Sequence, residues 1–213
     1  MVREVRAHLM SGLPLKATKP SGVAYISAAW LLGVQPEALQ AVAEVEAGPF
    51  GAFLDNGEPV ILYERHIFHR LTNGRFAGAL APGDFPREVS ELSNPSAGGY
   101  GAVSIQHAKL AAAVRLDREA ALKACSWGLF QILGLNHAEA GHPSLQAFVN
   151  AMYRSVDEHL RALVMYLRHD FRLVDALRSH EWAEFARLYN GPAYQKNHYD
   201  AKLAAAYARL EVA

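Results

Sequence analysis

"AVAEVEAGPFGAFLDNGEPVILYERHIF", residues 41–68, gathers five carboxylates around one glycine-rich turn: Glu44, Glu46, Asp55, Glu58 and Glu64. Its first part continues a helical pattern that starts at Pro36, a residue suited to a helix's first turn, and stops at Gly48. At 100° per residue, Leu39, Val42, Ala43 and Glu46 share one stripe, while Glu44 points about 200° away from Glu46, on the side of Glu37. Glu46 is thus a carboxylic acid at the end of an apolar face. Burial there disfavours the charged form and raises the pKa, as a general acid near neutral pH requires. The plainer reading is a helix-end acid reaching solvent beside Gly48.

Past Gly48 the pattern changes. "GAFLDNGEPVILYE" sets apolar and β-branched residues on either side of Asn56-Gly57, a dipeptide that accepts the positive φ angles of a hairpin turn. A two-residue turn pairs Asp55 with Glu58 and puts Phe53, Asp55, Val60, Leu62 and Glu64 on one face. Pro59 fits only an edge position. Asp55 also suits ordinary turn chemistry, and Glu64 a helix start or a partner for Arg65 or Arg70. Together, though, a helix ending in a semi-buried Glu and a hairpin returning with a second carboxylate match the equipment for cutting a glycosidic bond.

Working outward, residues 1–20 read as an irregular arm, with charges, two prolines and no sustained period. "SGVAYISAAWLLG" predicts a short helix capped by Ser21 and ended at Gly33. "RHIFHRL" can start another. Residues 73–101, rich in Gly, Pro, Ser and Asn, read as a long surface loop system, and loops of that length inside compact domains are often functional. From about residue 102 onward apolar residues recur at helical spacing. The expected fold is α+β: predominantly helical, with a small β hairpin lobe beside a cleft.

The 213 residues suit one domain, residues 1–213, with a sizeable core. With formal net charge zero, no global field steers the chain to nucleic acid or to an anionic membrane. No apolar run is long enough to insert in a bilayer, and the N-terminus lacks the compact apolar stretch of a secretory signal, so the expectation is cytoplasmic synthesis. The single cysteine, Cys125, excludes an intramolecular disulfide and a multi-Cys zinc site, and reads as a buried thiol. Ten histidines raise the question of a metal, with His66 and His69 spaced i, i+3 after Glu64. The chain lacks His-Glu-x-x-His and a well-spaced Asp or Cys partner, so no metal or other cofactor is expected, and His66 is read as a support of the cleft or a partner of Glu64.

Three blocks carry a resemblance to a known family: "VAEVEAGPFGAFLDNGEPVILYERHIF", "CSWGLFQILGLNHAEAGHPSLQAFVNAM" and "WAEFARLYNGPAYQKNHYDAKLAAAY". In that order they resemble the phage-type N-acetylmuramidases, over most of residues 20–210. The same landmarks recur more loosely in goose-type lysozymes and lytic transglycosylases. The resemblance implies a lysozyme-like fold and hydrolysis of the β-1,4 bond between N-acetylmuramic acid and N-acetylglucosamine in peptidoglycan glycan strands. It makes Glu46 the proton donor, Asp55 the second carboxylate, and Glu64 a third polar residue of the cleft that positions water in place of Asp55 or together with it. It further implies an endolysin, here a monomer without a separate wall-binding domain, acting in the periplasm after release from the cytoplasm. Ala47 stands where goose-type and transglycosylase motifs usually show Ser; with Asp55 this tilts the reading to hydrolysis. Gln131 and Tyr189 become substrate contacts by resemblance. Ser126 suits a cap for a helix starting at Trp127 as well as a sugar contact, and Asn190 suits a helix end as well as the cleft. Gly128 is expected to permit close approach to the Glu46 helix, and Trp127 and Phe130 to lie in the core.

Overall fold

The computed structural model describes residues 17–47 and 51–212. The arm before Ala17 and the stop at Gly48 lie outside them. Helix α1, Gly22–Leu32, starts where predicted: the Ser21 hydroxyl accepts from Ala24 N at 3.2 Å and Gly33 ends the helix in the left-handed region. Helix α2, Pro36–Ala47, buries Leu39, Val42 and Ala43 in the main core and leaves Glu44 exposed, as the stripe predicts. Its opposite side, Ala38 and Ala41, packs on Ala206 and Tyr207 of the C-terminal helix α11, Tyr199–Glu211. Alanines on both faces let two neighbours approach α2 closely, which fixes the direction in which Glu46 leaves its last turn.

Strand β1, Ile61–Tyr63, is the first of a three-stranded antiparallel sheet whose other members are β2, Cys125–Trp127, and β3, Ile132–Leu133. This corrects the reading of "CSWGLF": Ser126 sits in a strand, opposite Leu62 on one side and Leu133 on the other, and caps no helix. The hairpin at Asn56-Gly57 exists, but its register differs by one residue from the prediction. Phe53 bridges Pro59, Leu54 N donates to Glu58 O at 2.8 Å and Gly57 N to Leu54 O at 2.8 Å, so the loop has three residues, Asp55-Asn56-Gly57. A two-residue turn would close with the Glu58 N–H on Asp55. Here the Asn56 side chain takes that N–H at 3.0 Å, and Gly57 supplies the positive φ of 78°. Pro59 falls where the ladder asks no donor of it: the flanking bonds run from Leu54 N to Glu58 O and from Val60 N to Ala52 O.

Helix α3, Arg65–Leu71, follows β1 directly. The 73–101 segment is mostly irregular, as expected, with one short helix, α4, Arg87–Ser90, and a bridge between Leu80 and Glu91. Helices α5 (Gln106–Leu116), α6 (Arg118–Lys123), α7 (Leu145–Arg154), α8 (Val156–His169), α9 (Phe171–Arg178) and α10 (Trp182–Asn190) build the larger lobe. In α8 the Ser155 hydroxyl accepts from Glu158 N, acids occupy the first turn and Arg168 and His169 the last, matching the helix dipole. It buries seven residues, among them His159. Cys125, Trp127 and Phe130 are core residues, as expected. No helix among the described residues is long and apolar enough to cross a membrane.

Candidate active site

A cleft of about 410 Å³ runs between the sheet and the ends of α2 and α10. Period-2 alternation along β1 sends Leu62 and Glu64 to the cleft face and Ile61 and Tyr63 to the core. The cross-strand row Leu62, Ser126, Leu133 forms one wall, continued by Gln131 and Asn136. Opposite stand Glu46, Tyr189 and Asn190, with Tyr166 from α8 and Tyr199 from α11.

Glu46 is partly buried, and burial pushes its carboxyl from 4.5 up to about 7. The Asn190 amide lies against it and lowers the value, without closing a hydrogen bond of normal geometry, since Asn190 Nδ2 is buried and unpartnered. The Tyr189 hydroxyl donates to Phe130 O at 2.9 Å, and its ring stacks on Phe185 and meets Tyr166 edge-on. Tyr189 therefore ties α10 to the β2–β3 turn and presents its ring, not a free hydroxyl, beside Glu46. Burial and the Glu46 charge push Tyr199 up to about 12.

Glu64 sits between β1 and α3 with its backbone engaged on both sides. Its N–H extends the sheet to Ala124 O at 2.9 Å, and its carbonyl accepts from Ile67 and Phe68 at 3.0 Å. The side chain makes no cap bond to its own helix and is free to enter the cleft. Burial raises its pKa; the facing Tyr100 hydroxyl and the charge of Lys109 hold the rise back. Glu64 Oε2 lies 3.5 Å from His66 Nδ1. Burial first, then Arg70 and Arg65, lower the His66 pKa, so the neutral imidazole is the form that faces Glu64 near pH 7.

Gln131 stands in the cleft wall at φ 48°, its Nε2 donating to Gly128 O at 2.7 Å. Gly128 is required for a close approach, but to α8 and not, as expected, to the Glu46 helix: a Cβ there would lie 2.6 Å from the His159 ring. Buried His159 accepts from Leu129 N at 3.1 Å through Nδ1 and so donates through Nε2 to Met152 O at 2.8 Å. It holds the turn that carries Gln131.

Of the residues singled out from sequence, the structure brings Glu46, Glu64, His66, Ser126, Gln131, Tyr189 and Asn190 to one cleft. Asp55 is exposed in the hairpin turn and Phe53 packs on the His159 ring at 5.0 Å; neither is part of the lining. Tyr166, Tyr199 and Asn136 were not singled out. Tyr199 falls inside the third matching block, but the position of Tyr166 one turn before the end of α8 carries no local signal. Among the described residues no cluster of His, Cys, Asp and Glu could hold a metal.

Fold and cleft together define a lysozyme-like protein whose site holds two carboxyl groups with raised pKa values. A profile of the Muramidase family (N-acetylmuramidase) matches residues 35–211. The chain belongs to that family, and so to the glycoside hydrolases that act on peptidoglycan. Its structure is similar to the crystal structure of Burkholderia AP3 phage endolysin, with TM-score 0.78 and 39% sequence identity over 96% of this chain and 75% of that one. Among curated proteins no significant match was found.

Proposed function

We propose that the protein is an endolysin-type muramidase that hydrolyses the β-1,4 bond between N-acetylmuramic acid and N-acetylglucosamine, with Glu46 as general acid and Glu64 as the second carboxylate. The observation that carries this is the placement of both acids in one cleft, each raised by burial and only Glu64 faced by a hydroxyl and a nearby cation. Glu46, raised to about 7, is still substantially protonated near neutral pH and can protonate the leaving oxygen. Tyr100 and Lys109 oppose the rise that burial imposes on Glu64, and its carboxylate activates water or stabilises oxocarbenium charge. Neutral His66 beside its Oε2 helps to orient that carboxylate. Tyr166, Tyr189 and Tyr199 give the opposite wall aromatic surface for sugar rings, and Gln131, Asn136 and Asn190 supply donors and acceptors for hydroxyl and N-acetyl groups. A transglycosylase needs no second carboxylate, and Ala47 follows Glu46 where transglycosylase motifs usually show Ser.

The deciding experiment is mass spectrometry of purified peptidoglycan digested by wild type, Glu46→Gln and Glu64→Gln. Fragments with reducing-end N-acetylmuramic acid from wild type, absent with both variants, are the expected result. Anhydro-muramic ends would make the protein a lytic transglycosylase, and full activity of Glu46→Gln would remove the assignment of the acid.

A further inference from the structure

Between α4 and α5 the sequence Gly98-Gly99-Tyr100-Gly101 is held more firmly than a surface loop needs to be. Buried Lys109 of α5 donates through Nζ to Gly99 O at 2.8 Å, and buried Gln106 donates to Tyr100 O at 2.7 Å while its Oε1 accepts from Tyr63 N of β1 at 3.0 Å. Arg65, the residue after Glu64, reaches the other flank: it donates to Ser96 O at 3.2 Å and Glu88 O at 3.0 Å, and pairs with Glu91 at 3.0 Å. Gly99 is wedged into this frame at φ 65°, and a Cβ on it would lie 2.2 Å from Glu88 O. Three side chains and a glycine that no other residue can replace thus fix the backbone on either side of a single aromatic. That aromatic, Tyr100, faces the Glu64 carboxylate, whose Oε2 is buried and has no hydrogen-bond partner.

We propose that Tyr100 is a positioning residue for the second carboxylate: the clamped Gly98–Gly101 segment delivers its hydroxyl to Glu64 and orients that carboxylate in the cleft. This rests on the assignment of Glu64 made above. The groups facing Glu64 come from four places: His66 on its own helix, Tyr100 from the loop, Lys109 from α5 and the Cys125 thiol from β2, with Arg65 beside Tyr100 and Lys109. His66 is neutral near pH 7, and burial and the Glu64 charge keep Cys125 protonated. Lys109, lowered by burial to about 8, is mostly charged at neutral pH but spends its nearest bond on Gly99 O. Tyr100 is therefore the neutral group that the loop brings to Glu64, beside His66 from α3, and the long loop has a reason to be rigid at this point.

The test is the pH–rate profile of Tyr100→Phe on purified peptidoglycan, with a direct carbon-13 titration of the glutamate carboxyls assigned by Glu64→Gln. Loss of the hydroxyl should move the acidic limb, and the Glu64 carboxyl with it, up by about one pH unit, with a roughly tenfold loss of rate at the acidic end. The alkaline limb set by Glu46 and the thermal midpoint should stay near wild type. A rate lowered equally at every pH, or an unmoved Glu64 carboxyl, would overturn the proposal and leave Tyr100 a packing residue. Full activity of Glu64→Gln would instead sink the assignment of Glu64 and this inference with it; an inactive Glu64→Gln beside an unshifted Tyr100→Phe sinks only the inference.

Discussion

Replacing Glu46 by Gln should make the protein more stable, and by an amount that depends on pH. Folding moves this carboxyl from 4.5 to about 7 because burial penalises its charge. Between those values the folded state binds more protons than the unfolded chain, so stability falls as pH rises. The contribution is whole below pH 4.5 and is lost as the pH passes about 7. At 1.36 kcal/mol per pKa unit the wild type loses about 2 kcal/mol by pH 6 and about 3 kcal/mol by pH 8 through this one group. Glutamine is close in shape to the protonated acid and does not ionise, so the variant escapes the loss. Urea unfolding of both proteins at pH 4, 6 and 8 measures the difference, since other titrating groups are common to both and cancel. The two proteins should nearly coincide at pH 4, and Gln should lead by about 3 kcal/mol at pH 8, about 6–12 °C in thermal midpoint for a chain of this size. A stability difference that does not change with pH would mean that Glu46 is solvated in the folded protein, and the reason for calling it a general acid would go with it.

Asp55→Asn should leave muramidase activity within about twofold of wild type, because the residue is exposed in the hairpin turn outside the cleft lining; a loss comparable to that of Glu64→Gln in a reducing-end assay would return the second carboxylate to Asp55. Asn190→Ala removes the amide that lowers the Glu46 pKa, so the alkaline limb of the pH–rate profile should move to higher pH, while an unchanged limb would separate Asn190 from the acid. Gly128→Ala needs φ 66° from a residue with a Cβ and drives it to 2.6 Å from the His159 ring. Left-handed strain and the displaced imidazole hydrogen bonds should together cost about 3 kcal/mol or more in urea unfolding.

What could be read from the sequence is what local rules decide. Ser21, Gly33 and Pro36 mark helix ends through their own backbone chemistry, and the α2 stripe follows from 3.6-residue geometry, so helical spacing alone puts Glu46 at the end of the buried face. The strands Cys125–Trp127 and Ile132–Leu133 could not be read this way. Three and two residues are too short to show a period, and Ser126 before an apolar run imitates a helix cap; only the open edge of β1, far earlier in the chain, makes that run a strand. The hairpin shows how a small local choice reaches the chemistry. Asn-Gly fits a two-residue turn and the second and third positions of a three-residue loop. The Asn56 side chain, by taking the Glu58 N–H, selects the longer loop. In a sheet a slip of one residue reverses every face, so the same bond that closes the turn takes Asp55 off the face it was expected to share with Glu64. One side-chain hydrogen bond at a turn thus leaves Asp55 outside the cleft lining and Glu64 within it, which is why the proposed second carboxylate is Glu64.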